Sequence, residues 1–362
     1  MSGMSLNFTV TKNPNPTSAE RKSEIMEAPG FGKYFTDHMV QVTWTTEAGW
    51  HDAKVMPYGP IAMDPASAVL HYAQEIFEGL KAYRHGDASV WTFRPRANAA
   101  RFNRSAARLA LPELPEEDFV EAITQLVSID REWVPNGAEQ SLYLRPFMFA
   151  SEVFLGVRPS AHVTFMVIAS PVGSYFAGGI KPVNIWLSQN YTRAAHGGTG
   201  AAKCGGNYAA GLVAQLEATE HGCDQVCFVD AVEQKWIEEL GGMNLYFVHA
   251  DGRLLTPPTS GTILEGVTRD SILKLGAELG LTPEERPVSV DDWRGGVSSG
   301  EIREVFACGT AAVVTPVGRL MWSGGEVGDG NAGEMTMRIR NSLIDVQYGR
   351  AADSHSWLHR LA

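Results

Sequence analysis

The chain has 362 residues, a formal net charge of −11 at pH 7, 44% hydrophobic and 20% charged residues. This is the composition of a globular protein long enough to bury two cores, and its acidic balance argues against nucleic acid or an anionic membrane as partner. No apolar run reaches the length of a membrane span. The four cysteines, Cys204, Cys223, Cys227 and Cys308, match neither a zinc-site spacing nor a disulfide framework, so buried free thiols in a reducing compartment, the cytoplasm, are expected.

From Met1 to about Glu27 the sequence is polar, contains Asn13-Pro14-Asn15-Pro16 and lacks the apolar stretch of a signal peptide, so it reads as a mobile arm. A first domain is expected over residues 28–172. Weak alternation over 38–58 signals a hairpin, and Asp64-Pro65 can open a helix toward Gln74. A second hairpin pairs Leu80–Tyr83 with Ser89–Phe93. Pro95 opens a helix to Leu109 whose Arg101, Arg104 and Arg108 fall on one face at helical spacing. An amphipathic helix over Pro115–Trp133 precedes strands at Leu142–Phe149 and Val163–Ala169. Residues 173–181 are glycine-rich and nearly uncharged and read as an interdomain linker; Tyr175 and Phe176 suit a linker that also walls a cleft.

The second domain, 182–362, begins with a strand at Val183–Leu187. A helix from about Tyr208 to His221 and strands at Gln225–Val229, Asn244–Val248 and Arg253–Leu255 follow. Gly266 precedes a helix over Val267–Leu279, Val305–Ala307 is a short strand, and a last helix runs from Glu334 to Tyr348. The fold class is therefore α+β, a mixed α/β chain of two domains.

Between the first strand and first helix of that domain lies His196-Gly-Gly-Thr-Gly-Ala-Ala-Lys203-Cys-Gly-Gly-Asn-Tyr208. Lysine is scarce here, nine against 21 arginines, and Lys203 alone combines uncharged neighbours with glycines on both sides. Two readings are open: a plain glycine-rich turn with its lysine in water, or a desolvated amine suited to Schiff-base chemistry. The phosphate-binding pattern G-x-x-x-x-G-K-[ST] fails, because Ala202 and Cys204 stand at its glycine and hydroxyl positions.

Two further segments are suited to a phosphate: Leu264-Glu265-Gly266-Val267-Thr268 at a helix start, and Gly309-Thr310-Ala311 at a strand end. Each is a weak signal alone. With Lys203 they suggest a phosphorylated cofactor that takes a lysine, pyridoxal 5'-phosphate, and Glu238-Glu239 offers the carboxylate its ring nitrogen needs. The spacing of histidines, cysteines and acids indicates no metal site.

Together, Lys203-Cys-Gly-Gly-Asn-Tyr208, Glu239-x-Gly-x-Met-Asn, Gly266-Val267-Thr268-Arg269 and Gly309-Thr310-Ala311 resemble the branched-chain-amino-acid aminotransferases, which are fold-type IV pyridoxal-phosphate enzymes. Phe35-Thr36-Asp37-His38-Met39, Phe77-Glu78-Gly79-Leu80-Lys81-Ala82, Arg94-Pro95, Tyr143-Leu144-Arg145-Pro146 and Tyr175 extend the resemblance over nearly the whole folded chain. It implies a smaller N-terminal α+β domain and a larger C-terminal domain with a β-barrel-like mixed sheet. It also implies a homodimer, and ping-pong exchange of amino groups between L-leucine, L-isoleucine or L-valine and 2-oxoglutarate, with L-glutamate as the other product.

By the same resemblance Lys203 forms the aldimine, Tyr208 bonds the cofactor's phenolic oxygen and Glu239 pairs with the ring nitrogen. Arg101, Gly266, Val267, Thr268 and Thr310 hold the phosphate, supported by Arg193. Phe31, Tyr72, Phe77, Tyr143 and Tyr175 wall the substrate pocket, the N–H groups of Ala311 and Ala312 take the α-carboxylate, and Arg145 receives the second carboxylate of glutamate. The related D-amino-acid aminotransferases and aminodeoxychorismate lyases are the nearest alternatives, and a binding module without catalysis is one of another class. Ala312 and Thr315 stand where eukaryotic relatives carry a Cys-x-x-Cys pair, so that thiol switch is expected to be absent; Gly242 replaces a threonine of some relatives.

Overall fold

The computed structural model describes residues 6–173 and 180–362. Tyr175 and most of the expected linker lie outside the described residues. The chain divides into two units, Met1–Ala177 with Gln347–Ala362, and Gly178–Val346.

The first unit contains, in chain order, β1 (Thr9–Val10), β2 (His38–Thr45), β3 (Gly49–Pro57), β4 (Glu75–Phe77), β5 (Leu80–Arg84), β6 (Val90–Phe93), β7 (Ser141–Ala150) and β8 (His162–Val172). One sheet runs β1-β3-β2-β8-β7-β5-β6 and ends on a terminal strand, Leu358–Arg360; β4 also pairs with β7. All neighbours are antiparallel except β1 and β3. Its helices are α1 (Ala19–Glu27), α2 (Val69–Tyr72), α3 (Pro95–Arg108) and α4 (Glu116–Ile129). Both expected hairpins form. Phe102 of α3, Phe119 of α4 and Phe165 of β8 are wholly buried, with ring centroids 5.3 to 6.1 Å apart, and these rings fasten the helices to the sheet.

Four expectations change here. The helix expected from Asp64 shrinks to the single turn of α2, because Ala73 adopts a left-handed conformation (φ 49°) and ends it. The arginines of α3 do not share one environment: Arg101 is buried with Asn98, Phe102 and Ser105, whereas Arg104 and Arg108 are exposed. The C-terminal residues belong to the first unit, since Leu358–Arg360 completes its sheet against β6; this makes the units similar in length.

The N-terminal segment is also not a loose arm. The Asn13 N–H donates to His38 Nε2 at 2.9 Å, Thr17 N–H donates to Asp37 Oδ1 at 2.8 Å, and Lys22 Nζ lies 2.8 Å from Asp37 Oδ2. The partners Asp37 and His38 are buried side chains that must be satisfied, and the polar arm supplies their donors. Apolar periodicity carries no trace of such contacts. Burial alone would raise the Asp37 carboxyl, but the Lys22 ammonium and the N–H groups of Thr17 and Trp133 outweigh it and hold its pKa at about 2.

The second unit contains β9 (Val183–Leu187), β10 (Gln225–Val229), β11 (Ile237–Leu240), β12 (Asn244–His249), β13 (Arg253–Thr256), β14 (Thr282–Glu285), β15 (Ile302–Gly309), β16 (Val313–Trp322) and β17 (Gly325–Val327). The sheet order is β11-β10-β9-β16-β15-β12-β13-β14, with β17 on β16. It is mixed: β9 runs parallel to β10 and β16, and β13 parallel to β14. Although β11 and β12 stand far apart in this order, Leu240 N–H donates to the Met243 carbonyl at 2.9 Å. The sheet therefore curls back on itself, as the barrel-like expectation requires.

Its helices are α5 (Gly205–Ala210), α6 (Leu212–Glu220), α7 (Val267–Glu278), α8 (Val290–Ser299) and α9 (Glu334–Gln347). Ile272 of α7 and Ile339 of α9 pack into a core with Tyr246, Leu254, Phe306 and Val314. The single helix expected over 208–221 is two, broken at Gly211. The strand expected at Val305–Ala307 is longer, and β11, β14, β16, β17 and α8 have no counterpart among the expected elements. Pro316 and Gly318 disguise β16; Gly295 and Gly296 disguise α8, whose start is fixed by reciprocal bonds between Ser289 and Asp292.

A depressed carboxyl stabilises the fold above its unfolded pKa, and that stability is lost as pH falls through the folded value. Asp37→Asn is therefore expected to cost about 2 kcal/mol at neutral pH. Urea unfolding should show this difference shrinking as pH falls from 3.8 toward 2.

Candidate active site

The second unit gathers four of the sequence motifs at one end of its sheet. Lys203 is half-buried, and its Nζ donates to the Tyr208 hydroxyl at 2.7 Å, five residues on across the first turn of α5. Cys204 precedes α5 as a buried residue, in line with a space-filling role. Upstream, Gly200 is required by close packing: a Cβ there would sit 2.4 Å from the Thr262 carbonyl oxygen. Clearance at Gly200 thus serves a loop-to-loop contact, whereas Gly206 faces open space.

Glu239 is the penultimate residue of β11, with only 2% of its surface exposed. Arg193 Nη1 lies 2.9 Å from Glu239 Oε1, the Leu264 N–H donates to the same oxygen at 2.9 Å, and Asn244 Nδ2 donates to Oε2 at 3.2 Å. Arg193 Nη1 also donates to the Thr262 carbonyl at 2.9 Å, and Asn244 Nδ2 to the Leu264 carbonyl at 3.0 Å. One carboxylate thus ties together the lysine loop, the β11–β12 turn and the segment before α7. Adjacent Glu238 is buried too, but its Oε2 has no hydrogen-bond partner, whereas both oxygens of Glu239 are bonded.

Burial pushes the Glu239 carboxyl up to about 7, against the pull of the Arg193 guanidinium, the Leu264 N–H and the Lys203 ammonium.

The segment from Leu264 to Thr268 enters α7 through Gly266, with no side chain capping the helix. Only glycine fits there, because a Cβ would lie 2.1 Å from Asn244 Oδ1. Thr268 is buried in the first turn. Thr310, Ala311 and Ala312 form the tip of the β15–β16 hairpin, followed by Val313 at φ 62°. That conformation strains a β-branched residue, of order 1–3 kcal/mol, at the motif's edge. A Cβ on Gly242 would touch the Tyr208 ring at 3.5 Å, and one on Gly309 would touch the Gly242 carbonyl at 3.5 Å. Tyr208, the turn after Glu239 and the Thr310 hairpin are therefore neighbours.

In the first unit, Phe31, Phe77, Tyr143 and Arg145 come together. The Phe31 and Tyr143 rings meet edge-on at 5.1 Å, the Arg145 guanidinium lies 4.7 Å over Phe77, and Arg145 Nη2 donates to the Tyr143 hydroxyl at 3.2 Å. Gly79 leaves room for that hydroxyl, since a Cβ there would lie 2.1 Å from it. Tyr72 is half exposed on α2, with its hydroxyl bonded to the Leu155 carbonyl. Arg101 is buried and fixed by Glu78, Nε at 2.7 Å and Nη2 at 2.9 Å, and Asn98 Nδ2 donates to Glu78 at 2.8 Å.

Glu78, Asn207 and Asn244 are the structurally decisive residues that motif reading quoted without assigning a role. Each is a polar residue inside a glycine-bearing motif, and that is the only signal the sequence offers for them. Among the described residues no group of side chains is placed to hold a metal ion, and no helix is long and apolar enough to cross a membrane.

A raised carboxyl contributes stability below its unfolded pKa, and that contribution is lost as pH rises through the folded value. Cofactor-free protein should therefore lose stability from Glu239 as pH rises from about 4.5 through 7. Glu239→Gln should remove this slope in thermal melts, while lowering overall stability because Arg193 is left buried without its counter-charge.

Residues 75–320 match the family described as Amino-transferase class IV. The chain is 56% identical to the branched-chain-amino-acid aminotransferase of Mycolicibacterium smegmatis, over 98% of both chains. Among solved structures, the branched-chain amino acid aminotransferase of Escherichia coli superposes with a TM-score of 0.74 at 29% identity, covering 89% of this chain and all of that one. The T.th. branched-chain amino acid aminotransferase complexed with N-(5'-phosphopyridoxyl)-L-glutamate superposes at 0.71 and 29% identity, covering 89% and 98%. The lysine–tyrosine pair, the buried acid and the chain-long similarity agree: the chain belongs to the class IV aminotransferases and, within them, to the branched-chain-amino-acid aminotransferase family.

Proposed function

We propose that the chain moves the amino group of L-leucine, L-isoleucine or L-valine to 2-oxoglutarate, with pyridoxal 5'-phosphate as cofactor and two half-reactions in alternation. The observation that carries this reading is the Lys203 amine on the Tyr208 hydroxyl, in one unit with a buried Glu239 that Arg193 and two donors hold in place. A ring nitrogen that can carry a proton suits a buried carboxyl, and a lysine amine suits an aldehyde. When bound, pyridoxal phosphate supplies an aldehyde that condenses with amines and an electron-poor ring that spreads negative charge from the substrate carbon.

The chain's residues would do the rest. Lys203 Nζ would hold the cofactor through its aldehyde and, when free, would serve as the base for the proton of the substrate α-carbon. Tyr208 orients Nζ and bonds the phenolic oxygen. Glu239, braced by Arg193, keeps the ring nitrogen protonated. Gly266, Val267 and Thr268 at the α7 start, Thr310 on the hairpin, and Arg101 receive the phosphate. Ala311 and Ala312 offer N–H groups to the α-carboxylate.

Phe31, Phe77 and Tyr143 suit an aliphatic side chain, and an apolar wall separates substrates by only ~1–3 kcal/mol per methylene, so all three branched amino acids are accepted. Arg145, turned by its bond to Tyr143, is the group for the second carboxylate of glutamate. A glutamate conjugate and 4-methylvaleric acid occupy solved structures of the T.th. relative, which supports the same pairing here. The roles of Tyr72 and Tyr175 rest on family resemblance. A cytoplasmic setting suits four buried free thiols.

A homodimer fits an apolar patch on the first unit. Leu70 and Tyr72 of α2 adjoin a segment with Val153, Leu155 and Val157 exposed, Leu155 by 60% and Val157 by 85%. The two are tied by the Phe154 N–H to the Ala66 carbonyl at 3.0 Å. Such a contiguous patch marks an interface.

Borohydride reduction of the protein with pyridoxal phosphate should add the cofactor's mass to a peptide containing Lys203, and Lys203→Ala should add none. No adduct in the unaltered protein points to a non-catalytic binding module, and turnover of D-alanine without L-leucine rejects the substrate assignment. Leu155→Asp with Val157→Asp should convert a dimer to monomer in sedimentation; a monomer before substitution ends the dimer proposal.

A further inference from the structure

Asn207 is buried and stands one residue before Tyr208 on α5. Its Oδ1 accepts a hydrogen bond from Thr199 Oγ1 at 2.7 Å, and its Nδ2 donates to the carbonyls of Thr199 and Ala202, both at 2.8 Å. These partners fix the amide orientation, since only the nitrogen can face two carbonyls. The Thr199 carbonyl also accepts the Ala202 N–H at 2.9 Å, closing the turn that delivers Lys203.

Lys203 is thus held at both ends by consecutive residues of one short helix. Asn207 grips the Ala202 carbonyl at the root of the lysine, and Tyr208 meets the amine at its tip, 2.7 Å away. Neighbouring helix residues point roughly 100° apart, which lets one face the turn and the other the amine. A lysine stem is long and flexible, so the arc its amine sweeps depends on how firmly the backbone beneath it is held.

We propose that Asn207 is a positioning residue for Lys203: by pinning the Thr199 and Ala202 carbonyls to the helix that carries Tyr208, it sets the arc over which Nζ moves between holding the cofactor and carrying the substrate proton. This rests on Lys203 being the catalytic amine. The Asn207 amide is committed to Thr199 and Ala202, so it acts through the lysine backbone. The sequence places it between two recognised motif residues, Lys203 and Tyr208, where its own contribution is hidden.

The test uses holoenzyme. In Asn207→Ala, kcat for L-leucine should fall about a hundredfold, the scale of a misplacement near 1 Å. KM should move by less than about threefold, because ground-state binding is untouched. The pH midpoint of the bound cofactor's visible absorbance should also shift, because it reports the surroundings of Nζ. Thr199→Val removes one of the bonds and should move both readouts the same way by less. Wild-type kcat and midpoint in folded Asn207→Ala overturn the proposal; if that variant does not fold, Thr199→Val decides by the same readouts. If unaltered holoenzyme gives no borohydride-fixed adduct at Lys203, the assignment of the lysine fails, and this proposal with it.

Discussion

The second unit depends on one buried ion pair, Arg193 with Glu239, 2.9 Å apart and each side chain only 2% exposed. Removing two charges from water is costly, and a buried pair survives only when its remaining hydrogen-bonding capacity is met. Here the Leu264 N–H and the Asn244 amide meet it for the acid, and Arg193 Nη1 also donates to the Thr262 carbonyl. Losing one partner of such a pair costs about 3–5 kcal/mol. The chemistry gains a buried carboxyl whose position is settled by three loops.

The same device recurs in the first unit. Glu78 is fully buried and takes two nitrogens of Arg101, the Asn98 amide and the Gly79 N–H. In both places an arginine that family resemblance assigns to the cofactor is held by a glutamate from another segment. A planar guanidinium fixed by a fork of hydrogen bonds loses little further entropy when it meets a ligand. The glycines work alongside: Gly266, Gly200 and Gly79 let a side chain or a second backbone come closer than any Cβ would permit.

Order is carried outward from these pairs by small polar residues. Asn244 couples Glu239 to the start of α7, and Asn207 couples the lysine turn to α5. At the far end of the first unit Asp37 and His38 capture the N-terminal segment in the same way, with His38 Nδ1 on Asp130 at 2.6 Å. Buried polar groups of this kind are satisfied as networks or not at all.

The sequence by itself determined the chemistry-bearing motifs, the fold class and the family. Lys203, Tyr208, Glu239, Gly266–Thr268 and Gly309–Ala311 are local strings, and their residue types and order are enough to state what cofactor they suit. It also determined most helices and the two hairpins of the first unit, because amphipathic periodicity is local. Only the tertiary structure decided how Glu239 is tied to Arg193, Leu264 and Asn244, why Gly200 is glycine, and that Glu78, Asn207 and Asn244 hold the reactive residues. It alone brought the C-terminal strand back to β6 and pinned the N-terminal segment to Asp37. These are contacts between residues far apart in sequence, made by polar groups that follow no period. Burial makes them obligatory, and burial is a property of the folded chain.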